Sequence, residues 1–203
     1  MATDAGELLL AGVHELRVDV TTKTSGTDMV SEMDRASETL IVKGILAARP
    51  DDAILGEETG VREGTSGVRW IIDPLDGTTN YLYEFPAFAV SVAAEDSDGP
   101  VAGAVFDPTH AELYSAGRGL GAFRNARPIS VSGAATLATA LVGTGFSYDP
   151  ERRRAQAEAL AHVLPEIRDV RRAGAAALDL CWVACGRLDA FFERGLAHWD
   201  YAA

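Results

Sequence analysis

The segment VRWIIDPLDGT, residues 68–78, combines an apolar run with two aspartates, a proline and a glycine. Its first half predicts a buried strand, and we expect that strand to stop at Asp73 and Pro74 because proline cannot donate to a β-ladder. Gly77 and Thr78 are then expected to open a helix, whose free N–H groups suit a phosphate. Both Asp73 and Asp76 therefore lie at the end of one predicted strand, where their carboxylates can point towards the same place. Pro74 stiffens the turn between them.

Two interpretations of this segment remain open on its residues alone. Carboxylates and backbone carbonyls are the oxygen ligands that Mg²⁺ prefers, so Asp73 and Asp76 can form part of a metal site. A capped turn whose aspartates face the solvent fits the same residues. Further acids favour the metal site, since Glu57 follows a short strand and Asp200 follows Trp199 near the other end of the chain. Asp200 has the alternative role of a helix N-cap.

The overall charge narrows the classes of function. The 30 acidic residues against 18 basic ones leave a formal net charge of −12 over 203 residues. This balance argues against a nucleic-acid partner, which needs a basic face on the protein. It also repels an anionic substrate, so a phosphate-binding site needs bound cations, held by clustered carboxylates, to reverse the local sign.

Hydropathy indicates where the protein resides. No apolar stretch is long enough for a membrane span, and the N-terminus lacks the basic and apolar regions of a signal peptide. We therefore expect a soluble, cytoplasmic protein without a membrane partner.

Residue patterns along the chain predict alternating helices and strands. The predicted helices cover 31–48, 150–164 and 175–185, and the predicted strands cover 53–55, 68–72, 87–94, 101–106, 112–116, 121–124, 129–131, 139–143, 170–172 and 188–193, with a loop at 57–66. This order predicts two halves. Residues 1–133 form an α+β half with an antiparallel sheet and the main metal motif, and residues 134–203 form an incomplete α/β half.

Three segments carry a resemblance to a known family: Gly56-Glu57-Glu58, residues 70–80, and Trp199-Asp200 with the three residues that follow. They resemble the signature segments of the inositol monophosphatase family, particularly the actinobacterial members of its bacterial inositol-1-phosphatase branch. The resemblance implies a layered αβαβα sandwich of the sugar-phosphatase type, shared with fructose-1,6-bisphosphatases, with α+β and α/β parts. Family members continue beyond the position that matches Ala203, so we expect the fold to be truncated at its C-terminus.

The resemblance implies two to three Mg²⁺ ions as cofactors. The implied metal ligands are Glu57, Asp73, Leu75 through its carbonyl, Asp76 and Asp200. In this scheme Asp73 bridges the first and second ions, and Glu57 also faces a third. Thr78 orients the attacking water with support from Asp34, and the implied catalytic residues are Glu57, Thr78 and Asp34.

The resemblance also implies the contacts to a substrate. The implied residues are Glu57, Leu75, Asp76, Gly77, Thr78, Gly174, Ala175, Ala176, Glu193 and Asp200. The family usually has Thr or Ser at the position of Ala175, so one hydroxyl contact is expected to be missing. Lys23 matches a mobile loop over the site in the family. Ser147 matches the family only loosely, as a further position facing the substrate.

The implied activity is Mg²⁺-dependent hydrolysis of a small phosphomonoester, first of all myo-inositol 1-phosphate, by a lithium-sensitive homodimer. Bound ions activate water and stabilise the leaving group without a phospho-enzyme. Histidinol phosphate, a 3′-phosphonucleotide and fructose-1,6-bisphosphate are alternative substrates within the same family. A non-catalytic regulator associated with RNA and transcription, and an inactive fragment, both stay open as interpretations outside this activity.

Overall fold

The computed structural model describes residues 1–13, 21–22, 29–30 and 32–203. Lys23, assigned above to a loop over the site, lies outside the described residues. Among these residues, no helix combines the length and the apolar character that crossing a bilayer requires.

Five α-helices and thirteen strands make up the described part of the chain. The helices are α1 Ala2–Gly12, α2 Glu32–Ala48, α3 Thr78–Leu82, α4 Pro150–Val163 and α5 Ala176–Ala184. The strands are β1 Thr21–Thr22, β2 Met29–Val30, β3 Ala53–Gly56, β4 Gly60–Arg62, β5 Arg69–Asp76, β6 Ala89–Asp96, β7 Gly99–Asp107, β8 Glu112–Gly117, β9 Gly121–Arg124, β10 Arg127–Pro128, β11 Leu141–Thr144, β12 Asp169–Arg171 and β13 Ala190–Phe192. Short 3₁₀ turns lie at Leu137–Thr139, Leu164–Glu166 and His198–Asp200.

Two larger sheets organise these strands. An eight-stranded sheet has the order β10-β9-β8-β7-β6-β5-β3-β4, and all its pairings are antiparallel except that of β3 with β5. A three-stranded sheet, β12-β11-β13, is parallel. The first sheet lies within residues 53–128 and the second within residues 141–192. The division of the chain at residue 133 stays a prediction.

Side-chain alternation covers both faces of the larger sheet. In β6, Val90 packs into the cluster that α1 and α2 form, whereas the preceding Ala89 packs with α5 on the other face. Phe106 and Val105 of β7 divide in the same way, as period-two alternation requires. Helix α5 also contacts β13, and Val163 of α4 packs against the buried cluster that contains Val142 of the second sheet, so the layers follow the order αβαβα. The predicted fold class is confirmed.

The ends of several predicted elements were wrong. Strand β5 continues through Pro74 to Asp76, because a register shift between Asp73 and Asp76 accommodates a residue without an N–H. The predicted loop at 57–66 contains β4, which pairs with β3. Residues 129–131 are not a strand, since β10 ends at Pro128. The extension of β5 depends on its pairing with β6, which is distant in sequence, whereas β4 and β10 pair with strands next to them along the chain.

Candidate active site

A cavity of about 440 Å³ lies where the end of β5 meets the second half of the chain. It brings together almost all of the predicted site residues. Those that line it are Asp34, Glu57, Asp73, Leu75, Asp76, Gly77, Thr78, Gly174, Ala176, Glu193 and Asp200. Ala175 is not among the lining residues, because it is fully buried and packs with α5 and the sheet. Ser147 does line the cavity.

Two neighbouring parallel strands deliver the first acids to this cavity. Strands β3 and β5 run in the same direction, with Gly56 opposite Ile72, so their carboxyl ends lie at the same edge of the sheet. Glu57 follows β3 directly, and its backbone N–H donates to the carbonyl of Ile72 at 3.1 Å. Asp73 begins the irregular end of β5. Strand pairing therefore places these two carboxylates side by side.

The irregular end of β5 orients the carbonyl of Leu75. The Oδ1 atom of Asp73 accepts the Leu75 N–H at 3.0 Å, and the hydroxyl of Thr78 donates to the Leu75 carbonyl at 3.1 Å. Gly77, between them, has φ +89°, a left-handed conformation that costs little without a Cβ. A Cβ at Gly77 would also come within 2.9 Å of the Ala87 carbonyl. The turn therefore requires glycine for two reasons.

Helix α5 contributes its first turn to the site. The carboxylate of Asp76 accepts the N–H groups of Ala176 at 3.2 Å and Ala177 at 2.7 Å. These amides have no partner within the helix, and the positive end of the helix dipole favours an anion there. Asp200 lies in the final 3₁₀ turn and accepts the Ala197 N–H at 2.6 Å. The second half of the chain thus closes the cavity.

The clustered acids raise one another's pKa. Burial, followed by the charges of neighbouring carboxylates, raises the pKa of Asp73 well above its usual range. Burial also raises the pKa of Asp76 to about 7 although two amides donate to it. Glu57 reaches solvent at the cavity mouth, but the surrounding protein and the charge of Asp34 raise its pKa to about 7. Burial likewise raises the pKa of Asp200.

This electrostatic arrangement fits bound divalent cations. Two like charges about 4 Å apart repel by roughly 4 kcal/mol near a protein surface, which protonation or a cation can relieve. Carboxylates and the Leu75 carbonyl are hard oxygen donors suited to Mg²⁺. In the described part of the chain, however, no three His, Cys, Asp or Glu side chains already form a coordination geometry. Asp73, Asp76 and Asp200 instead accept backbone N–H groups. The oxygen donors present are therefore of the kind that Mg²⁺ prefers.

The structure adds residues that the sequence analysis missed. Arg172 and Arg194 line the cavity, so two guanidinium groups lie among its carboxylates. Thr79 and Tyr148, on opposite halves, share a hydrogen bond of 2.9 Å between their hydroxyls. The adjacent pair Arg171 and Arg172 in an acidic chain was a signal for a basic group in the site. No local pattern indicated the hydrogen bond between Thr79 and Tyr148.

The chain as a whole is similar to a known family and to solved structures. The model of the "Inositol monophosphatase family" matches residues 1–203. The "Inositol-1-monophosphatase SuhB" of Mycobacterium tuberculosis is 47% identical over 193 residues, which cover 91% of this chain and 67% of that protein. The "Nus factor SuhB" of Xylella fastidiosa is 43% identical over 203 residues, 100% of this chain and 74% of that protein. The crystal structure of the suhB extragenic suppressor protein from Bartonella henselae superposes with a TM-score of 0.93 at 40% identity, covering 100% of this chain and 78% of that one.

Proposed function

The chain belongs to the inositol monophosphatase family, and on that premise we propose that it hydrolyses myo-inositol 1-phosphate to inositol and phosphate with Mg²⁺. The family match and the named relatives support a phosphatase. The identity of the substrate and that of the metal ion are what we propose here. The name of the M. tuberculosis relative favours this substrate. Cytoplasmic location, lithium inhibition and a homodimeric state remain predictions from the resemblance.

One observation carries the proposal: the convergence of Glu57, Asp73, Asp76 and Asp200 on a single cavity. The surrounding protein raises the pKa of all four, and neighbouring carboxylate charges raise it further for Glu57, Asp73 and Asp76. Such a cluster is costly for a cavity that receives only water, since each carboxylate loses hydration without gaining a cation. Perturbed carboxylates that meet in a cleft indicate a functional site. Divalent cations bound among these carboxylates would offset their repulsion and would also attract an anionic substrate.

The residues divide into three roles. Glu57, Asp73 and the Leu75 carbonyl would hold the first ion, and Asp76 and Asp200 would complete a second with Asp73. When bound, these ions supply neutralisation of phosphoryl charge and acidification of water. The Thr78 hydroxyl, one turn from Leu75, would orient the attacking water, and the carboxylate of Asp34 would accept its proton.

The polyol would contact the opposite wall of the cavity. Glu193 presents its carboxylate there against the backbone of Gly145, where a Cβ would overlap it. A carboxylate accepts hydrogen bonds from two neighbouring hydroxyl groups of a polyol. Glu193 therefore favours a substrate rich in hydroxyl groups over one with an apolar leaving group. Gly174 and Ala176 add a wall of small residues beside it.

The decisive experiment measures phosphate release from a panel of phosphomonoesters, with Mg²⁺ and with excess EDTA. The panel contains myo-inositol 1-phosphate, histidinol phosphate, a 3′-phosphonucleotide and fructose-1,6-bisphosphate. We expect the highest kcat/KM for the inositol ester and no turnover in EDTA. Equal rates with and without EDTA would remove the metal-dependent mechanism, and preference for another ester would reassign the substrate.

A second candidate function has support from the names of two relatives, from X. fastidiosa and Pseudomonas aeruginosa. The X. fastidiosa protein, 43% identical, is named a Nus factor, which suggests an RNA-associated role. The net charge of −12 disfavours it, because phosphate backbones require a basic face. A gel-shift titration with structured RNA at two salt concentrations tests this second function. Salt-sensitive binding at sub-micromolar protein would favour it, and absence of binding would leave the phosphatase.

A further inference from the structure

Helix α2 places three polar residues on the face that it buries. Asp34, Ser37 and Glu38 are spaced as i, i+3 and i+4, so they share one side of the helix. They are 4%, 0% and 0% exposed, and Ile41 continues the same face into the hydrophobic core. Asp34 lines the cavity. Ser37 and Glu38 do not line the cavity, yet both contact the segments that carry the proposed metal ligands Glu57, Asp73 and Leu75.

Glu38 holds the turn that carries Glu57. Its two carboxylate oxygens accept the N–H groups of Glu58 at 2.9 Å and Thr59 at 2.8 Å. A Cβ at Gly56 would lie 2.4 Å from Glu38 Oε1, so the glycine lets the carboxylate pack directly against the backbone. Glu38 thus contacts the chain on both sides of Glu57: it packs against Gly56 before this residue and accepts the amides of Glu58 and Thr59 after it.

Ser37 holds the irregular end of β5. Its hydroxyl donates to the carbonyl of Pro74 at 2.8 Å in a buried position. That carbonyl belongs to the same planar peptide group as the Leu75 N–H, which donates to Asp73. The Pro74–Leu75 peptide plane is therefore held through both its carbonyl and its N–H. The Leu75 carbonyl follows directly on this fixed plane and accepts the Thr78 hydroxyl.

We propose that Ser37 and Glu38 are positioning residues that set the distance between the Glu57 turn and the Asp73–Leu75 segment for the first cation. Pairing of β3 with β5 aligns the strands only as far as Gly56 and Ile72. Beyond that point, two adjacent residues of one helix support the two ligand-bearing segments. A rigid helix transmits a fixed spacing between them. This inference rests on the proposed function, because it concerns the cation proposed there.

The test is Mn²⁺ titration by calorimetry, with Mn²⁺ EPR on the same samples, for the parent chain and for Ser37→Ala and Glu38→Gln. Loss of a residue that orients metal ligands typically weakens affinity about 10- to 100-fold. We expect a loss of this size for the tighter ion in both variants, with a changed EPR line shape. Ser37→Ala removes one oxygen only, so it keeps the test valid if Glu38→Gln fails to fold.

Asp52→Asn provides the matched control. Asp52 is also a buried carboxylate, 2% exposed, but it lies before β3 and accepts from Arg49 and from the Trp70 indole at 2.9 Å, away from the cavity. This variant should lose thermal stability and retain Mn²⁺ affinity. Affinities within twofold of the parent in folded Ser37→Ala would overturn the positioning role. A parent chain that binds no Mn²⁺ would instead overturn the proposed metal dependence.

Discussion

The clustered carboxylates make the stability of the metal-free protein depend on pH in an unusual direction. Asp76 has a pKa of about 7 in the folded chain, against an ordinary value of 3.8. Between these values the native state keeps a proton that the unfolded chain has already lost. Raising the pH through this window therefore lowers the free energy of unfolding, by about 1.4 kcal/mol per pH unit for each such group.

The magnitude follows from Asp76 alone. From pH 5 to pH 7 the proton that native Asp76 keeps lowers the free energy of unfolding by about 2 kcal/mol, which corresponds to roughly 4–8 °C in Tm for a chain of this size. Asp73 acts in the same direction, since its pKa is also raised. Carboxyl groups whose pKa is lowered by folding make stability rise with pH, but they act at lower pH. The pKa of Asp52 and of Glu112 is lowered to about 2, from ordinary values of 3.8 and 4.5, so their stabilisation is nearly complete by pH 5.

Thermal unfolding in EDTA, followed by circular dichroism from pH 5 to pH 8, measures this dependence. We expect Tm to fall as the pH rises, and we expect saturating Mg²⁺ to abolish the fall because the ion binds the ionised carboxylates. Asp76→Asn should reduce the slope in EDTA without abolishing it, because Glu57 and Asp73 titrate in the same direction. Asp98→Asn, at an exposed residue in the β6–β7 turn, should leave the slope unchanged. A Tm in EDTA that stays level or rises with pH would contradict the raised carboxyl pKa values, as would identical slopes with and without Mg²⁺.

Three further perturbations test the site and its support. Asp73→Asn should reduce phosphate release below a tenth of the parent rate, a barrier increase above about 1.4 kcal/mol, and a larger residual rate would contradict its role as a shared ligand. Gly56→Ala should cost about 1–3 kcal/mol in urea unfolding because its Cβ meets the Glu38 carboxylate, whereas Gly133→Ala, with open space around it, should be nearly neutral. Ala175→Ser adds a hydroxyl at the N-cap of α5, but the site is fully buried and Asp76 already accepts the first two amides of the helix. The variant should therefore change stability by less than about 1 kcal/mol and leave the KM unchanged, and an altered KM would instead favour a substrate contact.

Local sequence patterns predicted the elements whose periodicity is complete within a few residues. The apolar spacing of α2, the hairpin of β6 and β7, and the segment from Gly121 to Arg124 all follow from neighbours in the chain. The aspartates after residue 72 and the glycine at 77 indicated a turn with acidic side chains. The resemblance to a family then assigned roles to those acids that spacing alone could not distinguish from a solvent-facing turn.

Tertiary structure alone decided how those acids meet. Glu57, Asp73 and Asp200 come from three segments, and their distances depend on the pairing of β3 with β5 and on the packing of the final 3₁₀ turn against β5 and β6. The continuation of β5 through Pro74 required a partner in β6, which no pattern near residue 74 reveals. Ser37 and Glu38 looked like ordinary polar residues of an amphipathic helix until the turns that they hold were in place. Periodicity determines which face a residue occupies, whereas the contacts of that face depend on chain segments far away in sequence.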